Sequence, residues 1–396
     1  MIRWRPDSWR EHEARQQPRY ADRDALAKTL ARLRTKPPLV GIGAIDRLRT
    51  LLAAAARGEA FVFQAGECAE PIDAYDAART RRDIALIGRL AARLAEDLGT
   101  PAIRIGRIAG QYAKPRSHDI ERRGGLMLPA YRGDAVNGFA FDSRLRRPDP
   151  ARLLAAYESA AATLAIIRRD AAPPFFASHE ALLLRYEQAL IRRDPTSGRA
   201  YAGSGHFLWI GERTLFERSA HVELLRGLAN PVGLKCGPRL EADTLRRILA
   251  RLDPHRAPGR IVLIVRLGRK RIAERLPALL AAVRAAGHEA LWMCDPMHGN
   301  AGRDANGRKS RNLADMAAEI EAFVSLMRAH GAIAAGLHLE LTADPVSECA
   351  EGPGACAPLS PFSSLCDPRL NAAQAERIVA LLGARETAPA RASAAA

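Results

Sequence analysis

Short apolar runs recur from Ala60 to Thr342, and the longer stretches between them return apolar residues every three or four positions. Such runs predict strands buried on both faces, and the stretches between them predict amphipathic helices. The strand candidates are "AFVFQAG" from Ala60, "AIRIGRIAG" from Ala102, "PFFASHE" from Pro174 and "GHFLWIGE" from Gly205. They continue with "NPVGLKCG" from Asn230, "RIVLIVRLG" from Arg260, "EALWMCDPMHG" from Glu289 and "AGLHLELT" from Ala335. Helix candidates include "RTRRDIALIGRLAARLAEDLG" from Arg79, "PARLLAAYESAAATLAIIRRD" from Pro150, "RIAERLPALLAAVRAAGHE" from Arg271 and "NAAQAERIVALLGA" from Asn371. Eight such alternations predict an α/β fold closed into a (β/α)8 TIM barrel rather than an open doubly wound sheet. No Gly-x-Gly-x-x-Gly follows the first strand, which weakens a dinucleotide-binding alternative. The expected organisation is a short helical N-terminal extension over residues 1–58, a catalytic barrel over 59–385 and a disordered tail over 386–396. The stretch "RRGGLMLPAYRGDAVNGFAFDSRLRRPDP" from Arg122 is expected to be a loop with substrate contacts.

Composition narrows the partners. The net charge of +16 raises a nucleic-acid reading, but arginines are spread over nearly every helix and aromatic residues are only 5%, leaving neither a concentrated basic face nor stacking platforms. Dispersed cations favour small anionic substrates instead. No apolar run is long enough for a membrane span, and the polar start "MIRWRPDSWREHEARQQPRYADRD" lacks the apolar core of a secretory signal. The six cysteines show no CxxC pair, so the expectation is a cytoplasmic protein without a disulfide scaffold. Of the 60 basic residues only six are lysines, and Lys114 and Lys235 stand out by their contexts, since a compact ammonium does what a guanidinium cannot.

In a barrel the active site forms at the C-terminal ends of the strands. Here those ends carry Glu67 and Cys68, Arg107, Glu180, Glu212 and Arg213, Lys235, Arg266, Asp295 and His298, and Glu340. Closure sets the last strand beside both the first and the seventh. Cys68, His298 and Glu340 therefore fall on one arc of the mouth, within reach of Asp367 from the following loop. A thiolate, an imidazole and two carboxylates make a divalent-metal site of mixed softness. Arg107, Arg213, Lys235 and Arg266 are expected opposite that arc, as cations for phosphate or carboxylate groups. The "KPRS" run of Lys114, Pro115, Arg116 and Ser117 offers a second phosphate place. The residues alone thus predict a metal-dependent barrel enzyme for phosphorylated small molecules.

Nine motifs in order, "QAGECAE", "GRIAGQYAKPRS", "SHEALLLRYEQAL", "WIGERT", "NPVGLKCGP", "GRIVLIVRLG", "CDPMHGN", "HLELTADPVSEC" and "CDPRLN", resemble those of the type II 3-deoxy-D-arabino-heptulosonate 7-phosphate (DAHP) synthases. The resemblance runs from Gln64 to Asn371. It implies a 3-deoxy-7-phosphoheptulonate synthase of the shikimate pathway, a transferase joining phosphoenolpyruvate, erythrose 4-phosphate and water. It further implies Cys68, His298, Glu340 and Asp367 as ligands of Mn²⁺ or Co²⁺. Arg107, Glu212, Arg213, Lys235 and Arg266 would form the phosphoenolpyruvate site, and Lys114, Pro115, Arg116 and Ser117 the erythrose 4-phosphate site. Lys114, Glu212 and Lys235 would handle protons, and the enzyme would be a homo-oligomer. The alternative is a paralogue in a specialised pathway taking the same or an amino-modified aldehyde. Three departures bear on that choice: Glu67 stands where the family usually has Asp, "AGRDANGRKS" follows "CDPMHGN", and "LFERSAH" follows "WIGERT". Lys309 matches a family lysine in the altered loop. Inter-strand segments leave little beyond one crossover helix each, so no separate effector site for aromatic amino acids is expected.

Overall fold

The structure, a computed structural model, describes residues 4–72, 76–303, 309–352 and 363–386. Eight parallel strands close the barrel: β1 (Phe61–Gly66), β2 (Ala102–Arg107), β3 (Phe175–Glu180), β4 (Phe207–Ile210), β5 (Val232–Cys236), β6 (Ile261–Val265), β7 (Leu291–Cys294) and β8 (Ala334–Glu340). Each pairs with its neighbours in chain order, and β8 returns to β1. The helices are α1 (Arg23–Thr35), α2 (Ile42–Ala56), α3 (Ala77–Leu98), α4 (Ala151–Asp170), α5 (Leu184–Ala189), α6 (Ala220–Arg226), α7 (Ala242–Leu252), α8 (Ile272–Ala285), α9 (Leu313–Ala329) and α10 (Ala372–Glu386).

Both faces of the strands are buried, which is why they read as continuous apolar runs rather than alternating ones. Val62, Ile103, Ile105, Phe176, Phe207 and Ile264 fill the interior, while Phe61, Phe63 and Ala65 face outward onto the helices. The helix α3 shows how the outer layer is specified. Asp76 caps its start by accepting from the Ala78 amide, and Gly99 ends it at φ +63. Its Ile87, Leu90 and Leu94 join the outer core, each such burial contributing about 1.5–3 kcal/mol.

The N-terminal residues are built into this core. Leu48, Leu52 and Ala55 of α2 join the barrel's interior cluster, and α1 packs on α4 and α5. Ahead of α1, only Ser8–Glu11 forms a short 3-10 turn. The segment expected as a plain loop carries an antiparallel hairpin, Ile120–Arg123 with Leu126–Pro129, turned by Gly124 and Gly125 at φ +53 and +80. A second hairpin, Ile191–Arg193 with Ala200–Ala202, follows α5 where one crossover helix was expected. The predicted tail lies outside the described residues except for Glu386, the last residue of α10.

Register sets the floor of the mouth. Gly66 aligns with Arg107 on one side and Glu340 on the other. Lys235 aligns with Ile264, and Cys294, one residue before Asp295, aligns with Val265. Near the C-terminal ends the interior turns polar, with Gln64, Ser178, Lys235 and His338 all buried. That polar layer carries the site.

Candidate active site at the barrel mouth

A hydrogen-bond chain crosses the top of the interior. The Ser178 hydroxyl donates to the Gly106 carbonyl (2.8 Å) and accepts from Gln64 Nε2 (2.9 Å). Gln64 Oε1 then accepts from His338 Nδ1 at 2.7 Å, which leaves His338 Nε2 as an acceptor. It receives Arg107 Nη1 at 2.8 Å and Lys235 Nζ at 2.7 Å. Burial, then the Lys235 and Arg107 cations, hold the His338 pKa well below the usual imidazole value, so the ring is neutral. Lys235 also donates to Asp295 Oδ2 at 2.6 Å. An ammonium has three donors, so one remains for the cavity that Lys235 lines.

This cavity, about 90 Å³, holds Lys114, Pro115, Glu212, Arg213 and Arg266 together with Arg107, His298 and Asp367. A wider cavity of about 580 Å³ adjoins it, sharing Glu212, Arg213 and Lys235 and adding Arg116 and Ser117. Every side chain named for phosphoenolpyruvate or erythrose 4-phosphate thus lines one cavity or the other, whereas none of the stretch from Arg122 to Pro150, also expected to touch substrate, lines either. Two glycines make room for carboxylates. A Cβ on Gly211 would lie 2.1 Å from Glu180 Oε1, and one on Gly237 would lie 2.3 Å from the Glu212 carboxyl carbon. Glu212 is ion-paired with Arg266, whose Nη2 also donates to the His298 carbonyl at 2.5 Å. Arg213 donates to Ser117 Oγ at 2.8 Å, tying the loops after β4 and β2.

The four predicted metal ligands lie on the expected arc but in two groups. Cys68, Cys366 and Asp367 have donor atoms within 4.8 Å of one another, and so do Asp295, His298 and His338. Glu340 lies beside the second group, its Oε1 3.2 Å from His298 Nε2. Asp295 Oδ2 accepts from His298 Nδ1 at 2.8 Å, which directs Nε2 toward Glu340. A carboxylate orienting the far nitrogen of a ligand imidazole is the usual outer support of a metal site. The donors are a thiol, an imidazole and two carboxylates around a ring of counter-ions, and this set fits a divalent cation.

Electrostatics agrees with the geometry. Burial opposes ionisation of Glu340, but His298, Lys114, Arg311 and Arg107 hold its pKa well below the usual value. Burial likewise opposes ionisation of Asp295, but His298 and Lys235 hold its pKa well down. Burial pushes the Cys68 thiol up, whereas its hydrogen bond with Cys366 pulls the latter down. Against burial, Cys68 and Glu340 raise Lys114 further, so that cation is fixed. Burial lowers Lys235 to about 8, with Asp295 opposing, which makes it the titratable lysine of the pair.

One expectation is corrected by closure. Arg107 was placed with the cations opposite the metal arc, yet β2 neighbours β1 and Gly66, Arg107 and Glu340 share one level. Its Nη2 donates to Glu340 Oε1 at 2.7 Å and its Nε to the Glu67 carbonyl at 3.0 Å, so it pairs with a carboxylate of the predicted ligand arc. The Glu67 departure is also explained locally. Its carboxylate takes Arg369 Nη1 at 2.8 and 2.9 Å and Arg79 Nη2 at 2.5 Å, linking the loop after β1 to the one bearing Asp367. Lys309 reaches Asp367 Oδ1 at 2.7 Å, while residues 304–308 of the altered loop lie outside the described residues.

Several participants were not predicted. Arg311, fully buried, donates to Glu340 Oε2 and to the Pro368 carbonyl, both at 2.6 Å, and so joins two ligand-bearing segments. Glu180 and Asp295 were noted as strand-end charges without a role. Burial raises the Glu180 pKa, and its Oε1 has no hydrogen-bond partner although it lines the small cavity. Asp295 sits three residues before His298, a turn spacing that signals the contact. His338 gave no signal, because its partner Gln64 is remote in sequence.

Known proteins resemble the chain over most of its length. The sequence model of the class-II DAHP synthetase family matches residues 4–173 and 171–383. The chain is 38% identical to the phospho-2-dehydro-3-deoxyheptonate aldolase of Streptomyces coelicolor, over 93% of this chain and 94% of that one. It is 43% identical to a probable phospho-2-dehydro-3-deoxyheptonate aldolase of Pseudomonas fluorescens, over 92% and 93%. Among solved structures, the phospho-2-dehydro-3-deoxyheptonate aldolase of Francisella tularensis superposes with a TM-score of 0.56 at 14% identity, covering 94% of this chain and 98% of that chain, a likeness of fold alone.

Proposed function

Since the chain belongs to the class-II DAHP synthetase family, we propose that it is a 3-deoxy-7-phosphoheptulonate synthase, condensing phosphoenolpyruvate with erythrose 4-phosphate and water to give DAHP and inorganic phosphate. The observation that carries this reading is a cation-lined cavity abutting an arc of thiol, imidazole and carboxylate donors at the barrel mouth.

Arg213, Lys235 and Arg266 supply the cations for the carboxylate and phosphate of phosphoenolpyruvate, with Arg107 bracing the floor. Fixed cations there position the enol carbon and stabilise negative charge without reorganising during the reaction. Cys68, His298, Glu340 and Asp367 would hold a divalent cation, Mn²⁺ or Co²⁺, which when bound supplies polarisation of the aldehyde oxygen. Lys114 Nζ, 3.5 Å from Glu340 Oε1, is a fixed cation whose charge stabilises the negative oxygen that the aldehyde carbonyl becomes, and the proton released in the later water step ends on that oxygen. After the new C–C bond forms, water adds to the former enol carbon bearing the phosphate, and phosphate leaves by C–O cleavage. Glu180 suits the water step: its raised pKa makes it a stronger base than an ordinary carboxylate, and one oxygen has no partner. Glu212, tied to Arg266, orients that guanidinium.

Arg116 and Ser117 receive the phosphate of the aldehyde, with Arg213 donating to Ser117 Oγ from the phosphoenolpyruvate side. An amino-aldose would need an anion beside its ammonium, whereas this part of the cavity is walled by Arg116, Arg213, Lys235 and Arg239, and Glu212 is already paired. Erythrose 4-phosphate is therefore the better match. No described helix is long and apolar enough to cross a membrane. The proposal includes a cytoplasmic homo-oligomer, for which exposed Leu126, Met127 and Phe139 offer apolar area. Phosphate release from phosphoenolpyruvate, with and without aldehyde and metal, tests the reading. Release that does not depend on the aldehyde would overturn it, and a preference for the 3-amino analogue would favour the specialised paralogue.

A further inference from the structure

The segment ahead of α1 crosses the barrel mouth and ties down three of its loops in turn. Glu13 pairs with Ser219 at the start of α6, its carbonyl accepting from the Ala220 amide at 3.0 Å. Gln17 Nε2 donates to the Leu182 carbonyl at 2.8 Å and its Oε1 accepts from the Leu184 amide at 3.1 Å, after β3. Between them, Gln16 Nε2 donates to the Arg116 carbonyl at 3.1 Å and its Oε1 accepts from the Arg116 amide at 2.9 Å. Arg132, whose own carbonyl accepts from the Lys114 amide at 2.8 Å, adds its guanidinium to Gln16 Oε1 at 3.3 Å.

Resting on the functional reading above, we propose that this strap is part of the aldehyde half of the site, with Gln16 a positioning residue for Arg116 and Ser117. Three observations converge. The two-point bond reads the N–H and the carbonyl of one residue, which belong to the two peptide units flanking its Cα, so it holds the Arg116 backbone in one orientation. Gln16 holds φ +64, a left-handed conformation unfavourable for a non-glycine residue, and such strain persists where the surroundings over-determine it. Lastly, Arg15 and Gln16 themselves line the 580 Å³ cavity that receives Arg116, Ser117 and Arg213. Arg15 lies on that wall with its guanidinium 4.1 Å from the Phe216 ring, in the "LFERSAH" stretch where this chain departs from its family. The strap therefore closes the phosphate end of the cavity, and the ligand class it fits is the terminal phosphate of a short aldose phosphate. The Arg116 guanidinium continues the link inward, donating to Cys366 Sγ at 3.2 Å beside Asp367.

The test is steady-state kinetics of Gln16→Ala and Gln16→Gly in the full chain with metal. Glycine accepts the left-handed backbone, so agreement between the two isolates the side chain. Losing the pair of bonds should raise KM for erythrose 4-phosphate about tenfold while KM for phosphoenolpyruvate stays within about twofold. An unchanged aldehyde KM, or both KM values rising together as in general loosening, would overturn the proposal. Hydrogen exchange on the unmodified protein provides a readout independent of folding of the variants. Adding erythrose 4-phosphate, but not phosphoenolpyruvate, should slow exchange in both the 13–17 and 114–117 peptides, and protection of neither would equally overturn it. A wild-type enzyme that does not consume the two substrates would strike the functional reading instead, whereas an active wild type with insensitive variants strikes only the strap.

Discussion

Raising the pH should silence the phosphoenolpyruvate site through Lys235 while relieving a cost to the fold. Burial lowers this lysine to about 8 from the ordinary 10.5, Asp295 opposing and Arg107 assisting. The difference corresponds to about 3 kcal/mol spent in keeping the ammonium charged inside the folded chain at neutral pH. The sign follows from proton counting. Between about pH 8 and 10.5 the unfolded chain binds the proton that the folded chain has shed, so stability from this group rises with pH across that window. Binding moves the other way, because neutral Lys235 no longer offers a cation to the substrate. With metal and erythrose 4-phosphate saturating, kcat/KM for phosphoenolpyruvate should be flat below about pH 7 and fall tenfold per pH step above about 8. The limb in kcat should lie higher, since bound substrate anions favour the ammonium. Lys235→Arg should abolish the limb, because a guanidinium does not titrate in that range, while crowding in the slot between Asp295 and His338 lowers the absolute rate. The same alkaline limb in Lys235→Arg, or a wild-type profile flat to about pH 9.5, would refute the assignment.

Three further outcomes are expected. Chelation should abolish activity and Mn²⁺ or Co²⁺ restore it, with Cys68→Ser weakening metal binding, measured by equilibrium titration, while circular dichroism still shows a folded barrel; full activity in verified metal-free protein would sink this. Arg311→Met should leave the fully buried Glu340 Oε2 unpaired and cost about 3–5 kcal/mol in denaturant titration, whereas a loss under about 1 kcal/mol would mean that Arg107 and Lys114 already compensate that carboxylate. Phe, Tyr and Trp, singly or together, should leave the rate unchanged at millimolar levels, and saturable inhibition relieved by a mutation away from the mouth would reveal an effector site.

What was legible in the chain, and what was not, follows from how far apart the interacting groups lie in sequence. The strands were legible because burial on both faces removes polar positions, and their charged ends stood out against that background. The hairpin at Ile120–Pro129 was missed although it carried a local signal. Gly124–Gly125 between two short runs is the pair that a two-residue turn with positive φ demands, but Ile120, Leu126 and Met127 are exposed and show no buried face. The second hairpin, at Ile191–Arg193, had no comparable glycine pair.

In the site, the chemistry of each strand end was readable while its partner was not. Arg107 shows the difference most clearly. A guanidinium at a strand end is equally a substrate cation or the counter-ion of a carboxylate, and the level shared by Gly66, Arg107 and Glu340 across the closed barrel adds the second contact to a residue that also lines the cavity of Lys235 and Arg266. His338 is the same case in reverse: a histidine inside an apolar strand is commonly a satisfied core residue, and here it is satisfied, by Gln64 on one nitrogen. What gives it a role is the other nitrogen, which accepts from Arg107 and Lys235 at once. It thereby joins Arg107, which pairs with Glu340, to Lys235, which pairs with Asp295 and lines the small cavity. A neutral acceptor at that point adds no third positive charge between Arg107 and Lys235, whose own charges are met by the buried Glu340 and Asp295, which is why burial holding His338 unprotonated matters to the site.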